Sequence, residues 1–221
     1  MNLAPDLLPL PWFGASYVLF GALLLWALIG IDYRRWARES LRQHLFFGAS
    51  LAVMLLWFVR AGFSPGLGIH FLGMTALTLL LGWRLAMAGS LFALIGSAAI
   101  GVESWQTLGM SGLLLVALPI GISHLIWKLA DRRLPANLFV YILGCGFFGS
   151  LLAAALARVA VGAVMLAGGA YGWETIRSQY VAVLPLALFP EGIINGMVIS
   201  VLAAFRPEWV ATLDARRYLS R

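Results

Sequence analysis

His70 opens an apolar run directly after Pro65-Gly-Leu-Gly68, and Met74 lies one helical turn further on, on the same face. A loop at Glu103-Ser-Trp105 falls on the same side of the chain's up-and-down path, as does the N-terminal stretch Met1-Asn-Leu-Ala-Pro-Asp6. That stretch has no basic n-region, which argues against a cleaved signal peptide and leaves a free amine. An amine, an imidazole and a carboxylate together suit a borderline divalent transition metal, and Met74 with Met110 would shift the preference toward copper. Plainer roles stand beside this one: a histidine at a helix start serves structure, and methionine fills irregular gaps in apolar cores. There is no His/Cys cluster at zinc-like spacing. His44 and His124 fall near the opposite ends of their runs and read as interfacial.

A second group consists of polar residues set inside apolar runs, where ionisable side chains are costly and mark function or pairing. Arg158 lies eight residues, and Glu191 eleven, from the same-side ends of their runs, depths of about 12 and 16 Å at the helical rise. The two are expected to meet as an ion pair, which either locks two helices together or contacts a ligand. Asn195 shares the face of Glu191, and Pro190 should kink that helix.

These residues need a scaffold, and the composition names its solvent. Of 221 residues, 62% are hydrophobic and only 11% charged, against roughly 45–50% and about 25% in soluble domains. The expected fold class is an all-α membrane protein forming one polytopic domain over residues 1–221. Seven spans of about the required 20 residues follow one another: 12–31, 44–59, 67–83, 85–100, 110–127, 138–166 and 180–205. The third and fourth are short, with re-entrant or tilted segments as the alternative. Residues 1–11 form an extended N-terminal segment, 168–179 a loop, and 206–221 a cytoplasmic tail. The net charge of +6 is positional. With the N-terminus outside, Arg34, Arg35, Arg38, Arg42, Arg84, Lys128, Arg132, Arg133 and the four tail arginines all fall inside, leaving Arg60 and Arg177 outside. That is the positive-inside bias of an inner-membrane protein with N-out, C-in topology, and it explains the basic pI without nucleic acid. Cys145 reads as a free core cysteine. Phosphate loops, nucleophile elbows and zinc-protease helices are absent, so this is not an enzyme by motif, and ATP-driven work would need a separate ATPase.

Several stretches resemble one family. Gly68-Ile-His70-Phe-Leu-Gly73, Thr107-Leu-Gly-Met110, Ala117-Leu-Pro-Ile-Gly121, and Glu191-Gly-Ile-Ile-Asn-Gly196 followed by Phe205-Arg-Pro-Glu208 are similar to segments of the CbiM/NikM family. Those proteins are the membrane substrate-binding components of cobalt and nickel energy-coupling-factor (ECF) transporters of the ABC class. The resemblance covers about Gly68 to Val210. It implies a bundle whose N-terminus folds into the centre and holds the metal by the terminal amine, a histidine at position two and a later histidine. Carried over, Met1 supplies the amine and His70 the later imidazole. Position two is Asn2 rather than His, and the family's Asn-rich segment after the outer loop is replaced by Gly112-Leu-Leu-Leu115. Asn2, Asp6 or Met74 would then take the place of the missing imidazole, with Glu103, Trp105 and Met110 around the pocket. The implied substrate is nickel or cobalt, with copper or zinc as further candidates, and the implied partners are an ECF-type transmembrane coupling protein and cytoplasmic ATPase subunits. Two other classes stay open: solitary uptake of an organic cofactor or vitamin, stacked on Trp105 and Trp173, and a membrane assembly factor without transport activity.

Overall fold

In the computed structural model, residues 5–61 and 66–219 are described. After a 3-10 turn at Pro5–Leu7 come α1 (Leu10–Ile29), α2 (Tyr33–Arg38) and α3 (Ser40–Leu56). Strands β1 (Arg60–Ala61) and β2 (Ile69–His70) pair antiparallel, with Arg60 opposite His70. The chain continues through α4 (Met74–Leu81), α5 (Trp83–Ala99), α6 (Trp105–Arg133) and α7 (Leu138–Ala167). It ends with α8 (Trp173–Gln179), α9 (Leu184–Phe205) and α10 (Ala215–Leu219). The protein is an all-α membrane protein. Among the described residues, four helical runs are long and apolar enough to cross a bilayer: α1, α6, α7, and the run Trp173–Phe205 that joins α8 to α9. Helices α3 and α5 are shorter apolar helices. The free thiol of Cys145 is buried.

The third expected span departs most from the sequence reading. Residues 67–83 hold a strand, an extended stretch and the eight-residue helix α4. Glycine sets those limits. Gly73 (φ 68°) precedes α4 and Gly82 (φ 79°) ends it, both in the left-handed region that side chains resist. The fifth span also differs, starting at Trp105 rather than at 110. Residues 112–117 of α6 are π-helical, just before Pro119, which has no N–H to give and whose ring would crowd the carbonyl four residues back. The segment 168–179 is not wholly a loop, because α8 forms within it. Helix α9 stays helical through Pro190.

Small residues let α1 and α6 close on each other, as membrane helices do. A Cβ on Gly109 would lie 2.7 Å from the backbone nitrogen of Tyr17, and one on Gly112 would lie 2.5 Å from the Phe20 ring. The Tyr17 backbone beside Gly109 cannot swing aside as a side chain can. Gly109→Ala is therefore expected to cost about 1–3 kcal/mol by overpacking, seen as a lower unfolding temperature in detergent. Gly14→Ala, whose added Cβ meets nothing within 4 Å, should leave that temperature nearly unchanged.

The basic segments share one end of the bundle. An Arg84 Nη1 donates to the Gly30 carbonyl at 2.7 Å, joining the start of α5 to the end of α1. Arg217 pairs with Asp131 at 2.6 Å, joining the tail to the end of α6.

Candidate functional site

In hydrocarbon every backbone N–H and C=O needs an internal partner. An extended stretch leading into a very short helix leaves many of them open. Between residues 70 and 76 those groups are met by side chains from three surrounding elements. Arg158 of α7 donates Nη2 to the His70 carbonyl at 2.7 Å. The indole of Trp57, just past α3, donates to the Leu72 carbonyl at 3.1 Å. Glu191 of α9 accepts the Leu72 amide on Oε2 at 2.8 Å and the Gly73 amide on Oε1 at 2.9 Å. Asn195, one turn on, accepts the Ala76 amide at 2.7 Å and donates back to Glu191 Oε1 at 2.9 Å. Glu191 and Asn195 thus cap the N-terminus of α4 from another helix, where a carboxylate also meets the positive end of the helix dipole.

The far end of α4 is held just as fully. Thr212 and Ala211 donate their amides to the Leu79 and Leu80 carbonyls at 3.2 and 2.9 Å. The Thr212 hydroxyl adds a bond to Leu79 at 2.7 Å, and Trp127 donates to the Thr212 carbonyl at 2.9 Å. Along the side of α4, Thr75 and Ser123 share a hydrogen bond at 2.7 Å. So α9 and the segment after it grip α4 at both ends, and α4 presents His70 from its leading edge.

His70 is buried and stands edge-on to Trp57, with ring centroids 5.9 Å apart. Its ladder partner Arg60 lies 3.3 Å from Glu103 and donates to the Val102 carbonyl at 2.8 Å. Arg60 thereby ties the hairpin that carries His70 to the 101–104 loop that carries Glu103. Met74 is buried, and its sulfur accepts the Ser90 hydroxyl at 3.3 Å. Met110 is buried in α6. Asp6 is exposed, and Trp105 is 54% exposed with its carbonyl bonded by the Tyr17 hydroxyl, so its ring faces outward more than inward. Met1 and Asn2 lie outside the described residues. Among the described residues, no three His, Cys, Asp or Glu side chains gather as a metal cluster.

The expected direct ion pair between Arg158 and Glu191 is absent from the ion pairs of the described residues. Both side chains are spent on backbone, Arg158 on a carbonyl and Glu191 on two amides, and the hairpin lies between them. Arg158 also lies close to the buried Tyr180. Sequence reasoning missed Trp57, Arg60, Tyr180 and Thr212. Of these only Arg60 left a signal, since it stands just before Gly62-Phe-Ser-Pro-Gly66, a sequence with turn chemistry.

Fold and site together define a membrane protein whose interior is organised around one braced polar segment carrying a buried histidine. The chain belongs to the CbiM family, described as the cobalt uptake substrate-specific transmembrane region, whose model matches residues 2–209. This is a family of membrane transport components for cobalt or nickel uptake, not of enzymes. No curated protein and no solved structure matches the chain.

Proposed function

We propose that this protein is the substrate-binding membrane component of an ECF-type transporter that takes up a transition metal, nickel or cobalt. The observation that carries the reading is His70, held at the leading edge of a short helix whose two ends are tied by neighbouring elements. A ligand so placed is pre-organised, and pre-organisation raises affinity by removing the cost of ordering the site on binding. The Met1 amine and Asn2 complete the ligand set with His70, and Glu103, Met74 and Met110 surround it. An amide oxygen in place of a second imidazole weakens the nitrogen field and loosens the choice of metal, which keeps copper and zinc within reach.

On this reading the chain crosses a bacterial inner membrane seven times, with the N-terminus outside and the arginine-rich end inside. Metal enters from outside, and residues 1–11 act as ligand and plug together. A coupling protein and cytoplasmic ATPase subunits reorient the component, and the ion leaves at the inner face. Because the terminal amine is a ligand, adding residues before Met1 should abolish metal binding while leaving the unfolding temperature of the metal-free protein unchanged. Isothermal titration with nickel and cobalt on the extended and native proteins tests this. Full binding by the extended protein would remove the amine from the ligand set.

A further inference from the structure

Because α4 is short, α3 and α9 stand apart over it and leave a groove of about 450 Å³. Its walls are apolar, with Gly48, Ala52 and Leu56 on one side, Val198 and Leu202 on the other, and Leu77 on the floor. At the arginine-rich end it opens past Leu45, Leu80 and Trp209 into a hollow of about 360 Å³ that carries Arg38, Arg42, Glu39 and Glu208. That hollow continues past Arg42 and Leu85 into another of about 270 Å³ with Asp32, Arg35 and Arg84. An apolar trough thus abuts a charged head at the arginine-rich end of the bundle.

The carboxylates of that head are already committed. Glu39 sits between Arg35 and Arg42. Glu208 lies 3.7 Å from Arg206, and Asp32 caps α2 by accepting the Arg35 amide at 3.0 Å. Arg38 is exposed and makes no ion pair with any described residue. The head therefore keeps surplus positive charge and unspent donors that face outward.

We propose that this trough binds one anionic glycerophospholipid of the adjoining leaflet, with an acyl chain between α3 and α9 and the phosphate against Arg38 and Arg42. The acyl chain gains no hydrophobic energy on leaving the bilayer, because lipid tails are as apolar as the groove. What it adds is contact along walls that a void would leave without partners. Selection for an anionic lipid comes from the arginines, as in other basic pockets between membrane helices. The lining of the groove includes Gly73 and Asn195, so the lipid lies directly against the clamp that holds the His70 hairpin.

The test uses the full chain in phosphatidylcholine nanodiscs doped with phosphatidylglycerol carrying a photoreactive group on its acyl chain, with adducts mapped by mass spectrometry. Adducts should concentrate on α3 and α9 within the groove. Unlabelled phosphatidylglycerol should displace them, while glycerophosphoglycerol, the headgroup without chains, should not. Gly48→Leu should remove most groove labelling, since a Cβ added there meets nothing within 4 Å and fills the trough without disturbing the packing. Arg38→Ala should lower the preference over a phosphatidylcholine probe by roughly fivefold. Labelling spread evenly around the bundle, equal labelling by the phosphatidylcholine probe, or unchanged labelling in Gly48→Leu would overturn the proposal and leave the groove to a partner helix.

Discussion

Glu191→Leu is expected to be the most damaging single substitution in this protein. It strips the acceptor from the Leu72 and Gly73 amides, which lie 2.8 and 2.9 Å from the carboxylate, and takes a partner from Asn195. Each orphaned buried amide costs about 1–3 kcal/mol, and nothing in hydrocarbon replaces the lost acceptor. Thermal unfolding in detergent should show a loss of about 2–6 kcal/mol for the two amides together, and the His70 hairpin should become open to protease. Arg158→Leu should be milder, because it frees only the His70 carbonyl while Glu191 keeps both amides. The double variant separates this arrangement from a direct ion pair. Since each side chain serves its own backbone partners, Arg158→Leu with Glu191→Leu should be worse than either single change. A double variant milder than Arg158→Leu alone would mean that the two charges answer chiefly to each other.

The apolar runs of the sequence located the long helices closely, because hydropathy reports the solvent a segment must face. It also singled out Arg158, Glu191 and Asn195, since a polar residue inside such a run stands out whatever it does. What it did not reveal is what those residues hold. Residues 67–83 read as one more span because their side chains are apolar, whereas Gly73 and Gly82 break the backbone and α4 is only eight residues long. With the helix that short, the polar side chains turn to backbone amides and carbonyls instead of to each other. The caps from Thr212 and Ala211 had no mark in the sequence at all, because every residue but proline carries the same amide. The tie between Arg60 and Glu103 was hidden for a related reason, as the two lie far apart along the chain and each alone looks like an ordinary loop charge. Family membership then adds what geometry leaves open, namely that proteins of this family take up cobalt or nickel.

The second large effect falls on metal rather than on stability. His70→Ala removes the imidazole but none of the bracing, since Arg158 bonds the backbone carbonyl of residue 70, Glu191 bonds the amides of residues 72 and 73, and the ladder to Arg60 is also main-chain. The ring's packing against Trp57 is lost, a cost of about 1–3 kcal/mol, so the variant should still fold. A metal held by few ligands cannot spare one of them, and truncating His70 should lower affinity by more than a hundredfold, given that even outer-shell partners of metal ligands cost 10–100-fold. The direct measurement is the metal content of the native protein and of His70→Ala, both purified in detergent without chelator and read by mass spectrometry alongside their unfolding temperatures. The account predicts a stoichiometric nickel or cobalt ion in the native protein and none in a folded His70→Ala. Folded native protein that holds no transition metal even after soaking with each ion, or a variant that holds as much as the native protein, would contradict it.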